Sequence, residues 1–242
     1  MPYSQARQFY RSQTAYEQAH IASALVFELS KVEHPHVREA MVGHLSHFEA
    51  DLAKRVADGL GMAALPVAPK AARAVQDFPL SPALQIIGKM KATLEGRAIA
   101  ILVADGSDGA VVAALKKAAI AAGASVKIVA PKIGGATLVD GSLLPADGQL
   151  AGTPSVMFDA VAVVLSAKGG KALCAEAAAV DFVRDAFGHL KAIAVDAGGS
   201  ALLQHAAIKA DAGVVNASDL KGFIAAAKLR HWDREASLRT LA

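Results

Sequence analysis

This sequence has little cysteine, few aromatic residues and no long hydrophobic run. One cysteine in 242 residues excludes an internal disulfide and any metal centre built from several thiolates. Aromatic residues make up 5% of the chain and the net charge is +3, so the dense basic stripe with stacking aromatics of a nucleic-acid-binding surface is missing. No apolar run reaches the ~18 residues that cross a bilayer, and the first residues lack the apolar core of a secretory signal. We therefore expect a cytoplasmic protein with neither nucleic acid nor membrane as a partner.

Apolar residues are abundant, at 54% of the chain, which predicts a packed globular structure rather than disorder. Their pattern divides the sequence into a helical segment at 1–62, a proline- and alanine-rich linker at 63–95, and an α/β domain at 96–242. Four prolines between 66 and 82 prevent a continuous helix in the linker and favour an extended connection.

The helical segment predicts a pair of amphipathic helices. Thr14 and Glu17 have the spacing of a capping box at the start of the first helix. The second begins at Pro35, a favoured first-turn residue, and is stopped by Gly59. Apolar residues recur at spacings of three and four in both helices, which gives each one an apolar face. These faces contain Ile21, Leu25, Leu29, Met41, Leu45, Phe48 and Leu52.

From residue 96 onward, short apolar runs alternate with helical patterns, which predicts a doubly wound parallel sheet. The runs at 98–104 and 161–165 are apolar on both faces, as buried parallel strands are. Turn-forming residues at 137–150 predict a small hairpin. Further strands are predicted at 125–130, 192–195 and 213–215, and helices at 111–122, 173–187, 200–207 and 218–231.

Ligands of such sheets bind beyond the carboxyl ends of the strands. Three glycine-containing loops lie there, at 104–109, 166–170 and 196–200. The first has no phosphate-binding glycine pattern, and its two aspartates would repel a phosphate. The third leads from a strand directly into a helix, as a nucleophile elbow does, but Asp196 stands at its tip. Asp196 is either the N-cap of that helix or a nucleophile toward an activated electrophile.

Other reactive residue types give weaker signals. Cys174 falls inside a predicted helix, which favours a buried structural thiol over a reactive one. His34, His36, His44 and His47 lie close together in the sequence, but zinc needs three or four converging ligands, so solvated or hydrogen-bonded histidines are the simpler interpretation. We predict no metal site and no cofactor-binding residue, and no Ser/His/Asp triad can be assembled.

The chain resembles a known family over residues 3–242. Its helical segment is similar to the late helical region of large-subunit monofunctional haem catalases. The stretches LAKRVADGLGM, SPALQIIGKMKATLEGRAIAILVADGSDG, GASVKIVAPKIGG and PSVMFDAVAVVLS resemble the C-terminal extension of the same enzymes. The resemblance implies a flavodoxin-like domain, similar in fold to class I glutamine amidotransferases and intracellular proteases.

The amidotransferase-like proteins imply where an active site would lie. Their elbow reads Cys-Ala-Gly before a helix with Ala-Leu-Leu, and this chain has Asp196 in the place of the cysteine. Gly169 and Gly170 match the pair whose amides form the oxyanion hole, and Asp108 loosely matches an acidic partner. A carboxylate in place of a thiolate removes the soft nucleophile and puts negative charge where an oxyanion would be stabilised. The resemblance therefore implies a degenerate elbow with no catalytic residue.

The catalase resemblance also implies what this chain does not contain. Catalases hold haem in a β-barrel, with a distal histidine and asparagine and an axial tyrosinate in an Arg-x-x-x-Tyr motif. Tyr3, Tyr10 and Tyr16 have no arginine at that spacing. The chain is expected to correspond to the C-terminal portion of such an enzyme, without the haem domain, and to be unable to dismutate hydrogen peroxide.

Three functions stay open on this interpretation. The first is a stability and oligomerisation module: the apolar helix faces would meet the catalase barrel, and without it would form an interaction surface for self-association or for docking on the α/β domain. The second is a chaperone-like holdase, in which the same surface binds unfolding client proteins. The third is a vestigial amidotransferase- or protease-like enzyme, or a small-ligand binder, at the Asp196 elbow, although fold alone carries little functional weight.

Overall fold

The computed structural model describes residues 2–238, which form two compact units. Residues 2–90 and 235–238 make up one, called here the helical unit, and Lys91–Arg234 is the other, the α/β unit. Within residues 2–238, no helix combines the length and the apolar character needed to span a membrane.

The regular elements follow one another in chain order. The helices are α1 (Pro2–Ser12), α2 (Ala15–Ser30), α3 (Pro35–Phe48), α4 (Ala50–Gly59), α5 (Gly109–Ala121), α6 (Ala167–Leu173), α7 (Ala177–Gly188), α8 (Ala197–His205), α9 (Leu220–Ala227) and α10 (Glu235–Leu238). The strands are β1 (Ala98–Val103), β2 (Ser125–Ala130), β3 (Ala136–Thr137), β4 (Leu143–Leu144), β5 (Gly148–Gln149), β6 (Ala160–Val164), β7 (Ile193–Val195) and β8 (Val214–Asn216).

The α/β unit is built on a parallel sheet with strand order β5-β2-β1-β6-β7-β8. β1 lies in the middle, where Ile101 is in register with Ile128 of β2 on one side and with Ala162 of β6 on the other. The strand order therefore reverses direction at β1, which places a topological switch point between β1 and β6. The predicted doubly wound, flavodoxin-like parallel sheet is confirmed.

Each face of the sheet is covered by helices, because successive side chains of a strand point to opposite faces. Ile99, Ile101 and Val103 pack in one cluster with residues of α5 and α9. Ala100 and Leu102 pack in a second cluster with residues of α6, α7 and α8. These five of the six side chains of β1 are buried, which explains the unbroken apolar run in the sequence.

All four helices predicted in this unit have other limits in the structure: α5 begins at Gly109 rather than at 111, and α9 spans Leu220–Ala227 rather than 218–231. The helix predicted at 173–187 is wrong at its start, because α6 ends at Leu173 and α7 begins at Ala177 after a non-helical Glu176 (φ −97°, ψ 110°). The helix predicted to begin at residue 200 begins at Ala197, directly after its cap Asp196. The predicted hairpin is present as the antiparallel pair β3–β4.

The helical unit contains α1 to α4 in place of the predicted pair of helices. The capping box is confirmed, because the Thr14 side chain accepts a hydrogen bond from Glu17 N–H and the Glu17 side chain accepts one from Thr14 N–H. The second predicted helix is interrupted at Glu49, which has extended geometry (φ −158°, ψ 128°) and separates α3 from α4. The break lets the apolar residues of α4 turn back toward those of α2 and α3.

The seven apolar residues predicted to form an interaction surface face the interior of the helical unit. Leu45 and Leu52 are 1% and 2% exposed. The remaining five, Ile21, Leu25, Leu29, Met41 and Phe48, are partly buried and pack against the same cluster. α2, α3 and α4 thus cover much of one another's apolar faces, so the unit has its own core, while the role of these seven residues as an interaction surface stays a prediction.

Residues 63–90, called here the strap, have no long helix or strand but are hydrogen bonded to the helices. Gln76 N–H donates to the Ser4 hydroxyl at 2.9 Å, and Ser81 N–H donates to the Ser12 hydroxyl at 2.9 Å. Both serines are buried. The backbone of this proline-rich segment thus finds its hydrogen-bond partners on α1 and α2. The limits that the sequence predicts for the three segments of the chain stay predictions.

Candidate functional site

The loop after β1 is held rigidly at the carboxyl edge of the sheet. Ser107 is fully buried, and its hydroxyl accepts a hydrogen bond from Ala104 N–H (3.0 Å) and donates to the Val164 carbonyl at the end of β6 (2.6 Å). Gly106 has φ +84°, and a Cβ there would come within 2.8 Å of the Ser166 hydroxyl. Glycine is required because the backbone is left-handed and passes close to the neighbouring loop.

The β3–β4 hairpin is attached to this loop through Asp105. Its carboxylate accepts a hydrogen bond from Thr137 N–H at 2.8 Å, and Gly106 N–H donates to the Thr137 carbonyl at 2.7 Å. Val139 N–H donates to the Ser107 carbonyl at 3.0 Å. These hydrogen bonds fix the position of the hairpin beside the carboxyl end of β1.

In the loop after β6, the two amides that the resemblance assigns to an oxyanion hole already donate hydrogen bonds within the protein. Gly169 N–H donates to the Ser166 hydroxyl (3.0 Å), and Gly170 N–H donates to the Ser166 carbonyl (2.8 Å). Both glycines are buried in α6. A Cβ on Gly170 would lie 2.5 Å from the Gly198 carbonyl, so the glycine is explained by the close approach of α6 to α8.

Asp196 is fully engaged as a helix cap. One carboxylate oxygen accepts from Gly199 N–H at 2.7 Å and the other from Leu165 N–H at 2.8 Å. Its φ of −94° is ordinary extended geometry, without the strain of a nucleophile elbow. Burial raises the pKa of the Asp196 carboxyl, and the hydrogen bonds from Gly199 and Leu165 oppose that rise only in part. Of the two roles open from the sequence, the structure shows the N-cap.

Asp108, which the resemblance loosely matches to the acidic partner of the elbow, is also a helix cap. Its exposed carboxylate accepts hydrogen bonds from Ala110 N–H (2.8 Å) and Val111 N–H (3.2 Å) at the start of α5. Cys174 follows α6 as its C-cap and is half-buried. Neither residue faces a described catalytic partner, and no group of three His, Cys, Asp or Glu residues in 2–238 could hold a metal ion.

A cavity of about 610 Å³ lies at the switch point, between the loops that follow β1, β2 and β6. Of the four residues in the predicted degenerate elbow, Gly169 is the one found among the described residues that line this cavity. Its charged lining residues are Asp105, Lys132, Lys168 and Glu176. The sequence pattern placed Asp105 and Lys168 in the correct loops but had no signal to single them out, because the cavity depends on where the hairpin folds back.

The chemistry of this cavity is that of a binding site. Ser166 is the hydroxyl in its lining, and that hydroxyl accepts from Gly169 N–H and donates to the Asp105 carbonyl (3.0 Å), so no base is placed to activate it. The cavity does not fit a haem either. Haem iron is held by histidine, cysteine, methionine or tyrosine, and none of these occurs among the described lining residues.

Comparison with known proteins gives a consistent result for the whole chain. Residues 2–60 match a family model described as "Catalase-related immune-responsive", and residues 95–236 match one described as "C-terminal domain found in long catalases". The chain is 44% identical to Catalase C of Rhizobium meliloti (strain 1021), over 98% of this chain and 35% of that protein. It is 35% identical to Catalase HPII of Pseudomonas aeruginosa, over 99% of this chain and 34% of that protein. Catalase-2 of Bacillus subtilis is 35% identical, with 96% and 34% covered. The chain thus spans about a third of the length of these relatives.

Proposed function

Because the chain belongs to the family of the C-terminal domain found in long catalases, we propose that it is a non-catalytic module that supports the stability and assembly of a longer catalase subunit. The remainder of that subunit, including its haem-binding barrel, is the partner that this proposal implies. The relatives named Catalase support it, since nearly all of this chain aligns to about a third of each of them.

One observation carries the non-catalytic part of the proposal. Every group that a hydrolase-like elbow would use is bonded within the unit: both oxygens of Asp196 accept backbone N–H groups, and the Gly169 and Gly170 amides donate to Ser166. An enzyme at this elbow would need a free nucleophile and free oxyanion donors. This bonding supports the non-catalytic module over the amidotransferase-like alternative.

Peroxide consumption tests the proposal on the purified chain. The chain is incubated with haem, passed through a desalting column and assayed for oxygen release from hydrogen peroxide. We expect no Soret band that co-elutes with the protein and no rate above that of the buffer. A stoichiometric Soret band together with peroxide consumption would overturn the non-catalytic assignment.

The assembly part of the proposal depends on apolar side chains that stay exposed. Ile86 and Val67 of the strap are 78% and 95% exposed, and Leu80 is exposed as well. Since the seven residues predicted from the helix faces are packed internally, we assign self-association to this strap surface, defined by Val67, Leu80 and Ile86.

Light scattering on the native chain tests this assignment. We expect an oligomer that dissociates in the double variant Val67→Gln, Ile86→Gln. The matched control is Ile120→Gln on α5, which removes an exposed apolar side chain outside the strap and should leave the mass unchanged. A monomeric native chain, or equal loss of mass in the control, would contradict the assignment.

The same exposed apolar side chains favour holdase activity as a second candidate function, because exposed apolar groups bind unfolded segments. The chain is added in equimolar amount to an unrelated enzyme that aggregates on heating, and turbidity is followed. We expect suppression by the native chain and loss of suppression in the double strap variant. Equal turbidity with and without the chain would remove this candidate.

A further inference from the structure

A second cavity, with several polar groups in its lining, lies at the amino-terminal edge of the sheet, at the end opposite Asp196. It measures about 350 Å³, within the ~300–1,000 Å³ range of small-molecule sites. Its lining includes Met157, Phe158, Asp159, His189, Lys191 and Arg230. Asp159 directly precedes β6, and Lys191 precedes β7, so two neighbouring strands of a buried sheet position these groups.

The backbone next to Lys191 is held in a costly conformation. Leu190 has φ +61°, the left-handed region that favours glycine at the end of a helix. Lys191 N–H donates to the Ala186 carbonyl at 3.0 Å, and His231 N–H donates to the Leu190 carbonyl at 3.0 Å. The turn that ends α7 therefore has a branched apolar residue where glycine is usual, and it fixes the direction of the following lysine.

Lys191 is a buried amine without a carboxylate partner. The residue is 5% exposed, and Nζ donates to the Ser155 carbonyl at 2.8 Å. Within residues 2–238, no carboxylate oxygen is within ion-pair distance of Nζ. Asp159 instead binds the Arg230 guanidinium at 3.2 Å and accepts from Ala98 N–H at 3.0 Å.

The groups around Lys191 favour its neutral form. Burial lowers the pKa of Lys191 most, the positive charge of Arg230 lowers it further, and Asp159 and Asp185 raise it, with a result of about 8. His189 lines the same cavity, and Arg234 reaches the lysine only through its backbone, with Nη1 donating to the Lys191 carbonyl at 2.7 Å. A substantial fraction of the amine is thus unprotonated and nucleophilic near neutral pH.

Arg230 supplies a binding group for an anion in the same cavity. Two of its N–H groups donate to Asp159, to the backbone carbonyl at 3.0 Å and to the carboxylate at 3.2 Å. A guanidinium has five N–H donors in a plane, which leaves an edge that can pair with a second carboxylate. Met157 and Phe158 add apolar lining for a short carbon chain.

We propose that this cavity binds a small 2-oxo acid, with Arg230 pairing with its carboxylate and Lys191 forming a reversible imine with its carbonyl carbon. The neutral Nζ attacks that carbon, a C–N bond forms and the carbonyl becomes a hydroxyl. The C–O bond then breaks, and the oxygen leaves as water with the two amine hydrogens. Water that enters the cavity beside the exposed His189 carries the protons between these steps. The reaction needs no oxidant or reductant, and its product is hydrolysed by the reverse path.

Reductive trapping on the full chain tests the proposal. The chain is incubated with pyruvate and cyanoborohydride, digested, and the modified lysines are mapped by mass spectrometry. We expect one dominant adduct, at Lys191, whose rate of formation levels off above pH 8 while the rates at exposed lysines continue to rise. Adducts spread evenly over the surface lysines, or an unmodified Lys191, would overturn the proposal.

Two variants separate the roles of the residues. Arg230→Met should lower pyruvate trapping at Lys191 by about tenfold, because a charge-assisted contact to the carboxylate is lost. It should lower trapping by acetaldehyde, which has no carboxylate, by a clearly smaller factor, because loss of the Arg230 charge raises the pKa of Lys191 equally for both carbonyl compounds. Lys209→Arg, at an exposed lysine, should change neither rate. Equal loss with both carbonyl compounds would remove Arg230 from the site, and trapping at Lys191 in the native chain remains informative if a variant fails to fold.

Discussion

Glu17, the acidic residue of the capping box at the start of α2, also binds the strap. It is 8% exposed, and one carboxylate oxygen accepts N–H bonds from Ile86 at 2.5 Å and from Ile87 at 2.9 Å, while the other accepts from Thr14. Burial alone raises the pKa of Glu17, but the hydrogen bonds from Thr14, Ile87 and Ile86 outweigh it and hold the pKa at about 2. A single ionised carboxylate therefore orders two segments that are 69 residues apart in the sequence.

Glu17→Gln should lower the free energy of unfolding of the helical unit by about 2 kcal/mol at pH 7. The folded pKa lies below the ordinary value of 4.5, so the stabilisation is fully present above pH 4.5 and is lost as the pH falls toward 2. The difference between wild type and variant should shrink over that range. Urea unfolding followed by circular dichroism at pH 7 and pH 3, with hydrogen exchange of the Ile86 and Ile87 amides, measures it.

Glu28→Gln is the matched control, because Glu28 is exposed and its only described ion pair is with Lys31 one turn along α2. Its effect should stay within about 0.5 kcal/mol. Amides at 86 and 87 that exchange equally fast in wild type and Glu17→Gln would show that the carboxylate does not hold the strap.

Asp196 should respond to pH in the opposite direction. Burial raises the pKa of its carboxyl, so the folded state binds the proton more tightly than the unfolded state does. Its contribution to stability therefore falls as the pH rises from the ordinary value of 3.8 through the folded pKa. Asp196→Ala should cost about 1–2 kcal/mol at pH 7, because Gly199 N–H and Leu165 N–H lose their acceptor.

Urea unfolding at pH 7 and pH 4 checks the prediction for Asp196. The difference between wild type and Asp196→Ala should grow as the pH is lowered. The exposed cap variant Asp108→Ala should cost less, since the carboxylate it removes is solvated in the native protein. A difference at Asp196 that vanishes at pH 4 would contradict the raised pKa.

At the level of elements, the α/β unit depends on how closely α6 approaches α8. A Cβ on Gly170 would lie 2.5 Å from the Gly198 carbonyl, and a Cβ on Gly198 would lie 2.1 Å from the Leu165 carbonyl. Gly170→Ala should therefore destabilise the unit by about 1–3 kcal/mol, because backbone atoms must move to admit the methyl group. Gly188→Ala, at the end of α7 with no atom within 4 Å of the new Cβ, should be nearly neutral. Thermal unfolding of both variants measures the contrast, and equal losses would contradict it.

The strands were the most predictable elements, because β1 and β6 are unbroken apolar runs and the chain can bury them only between two layers of helices. Helix limits were harder. The break at Glu49 and the turn at 174–176 lie in stretches whose apolar spacing continues across them, so tertiary packing decides where the helix stops.

The candidate site was predictable in part. The three loops at the carboxyl edge could be located from the strand pattern. The sequence left two roles open for Asp196, and one of them, the helix cap, is the role it has in the structure. The cavity beside Asp105 and Lys168 could not be found from the sequence, because one wall comes from the β3–β4 hairpin, whose position is fixed by the hydrogen bonds of Thr137. Lys191 carries no sequence signal at all, since its burial depends on the left-handed Leu190.

For the whole molecule, the separate cores predict more than one unfolding transition. The cluster around Leu45 and Leu52 belongs to the helical unit, whereas the two clusters on the sheet belong to the α/β unit. Calorimetry should resolve two transitions, with Glu17→Gln lowering one midpoint and Gly170→Ala the other. A single transition that both variants shift equally would show that the units unfold together.

The helical unit is made of two stretches of chain, and this affects the order in which the molecule can be completed. Glu235 belongs to that unit, is 2% exposed and lies 3.2 Å from the His20 ring nitrogen. During synthesis, α1 to α4 leave the ribosome before the α/β unit does, and Glu235 can reach them only after that whole unit has been made. A chain that ends anywhere between residues 91 and 234 therefore lacks a buried residue of the helical unit, even when every residue of α1 to α4 is present.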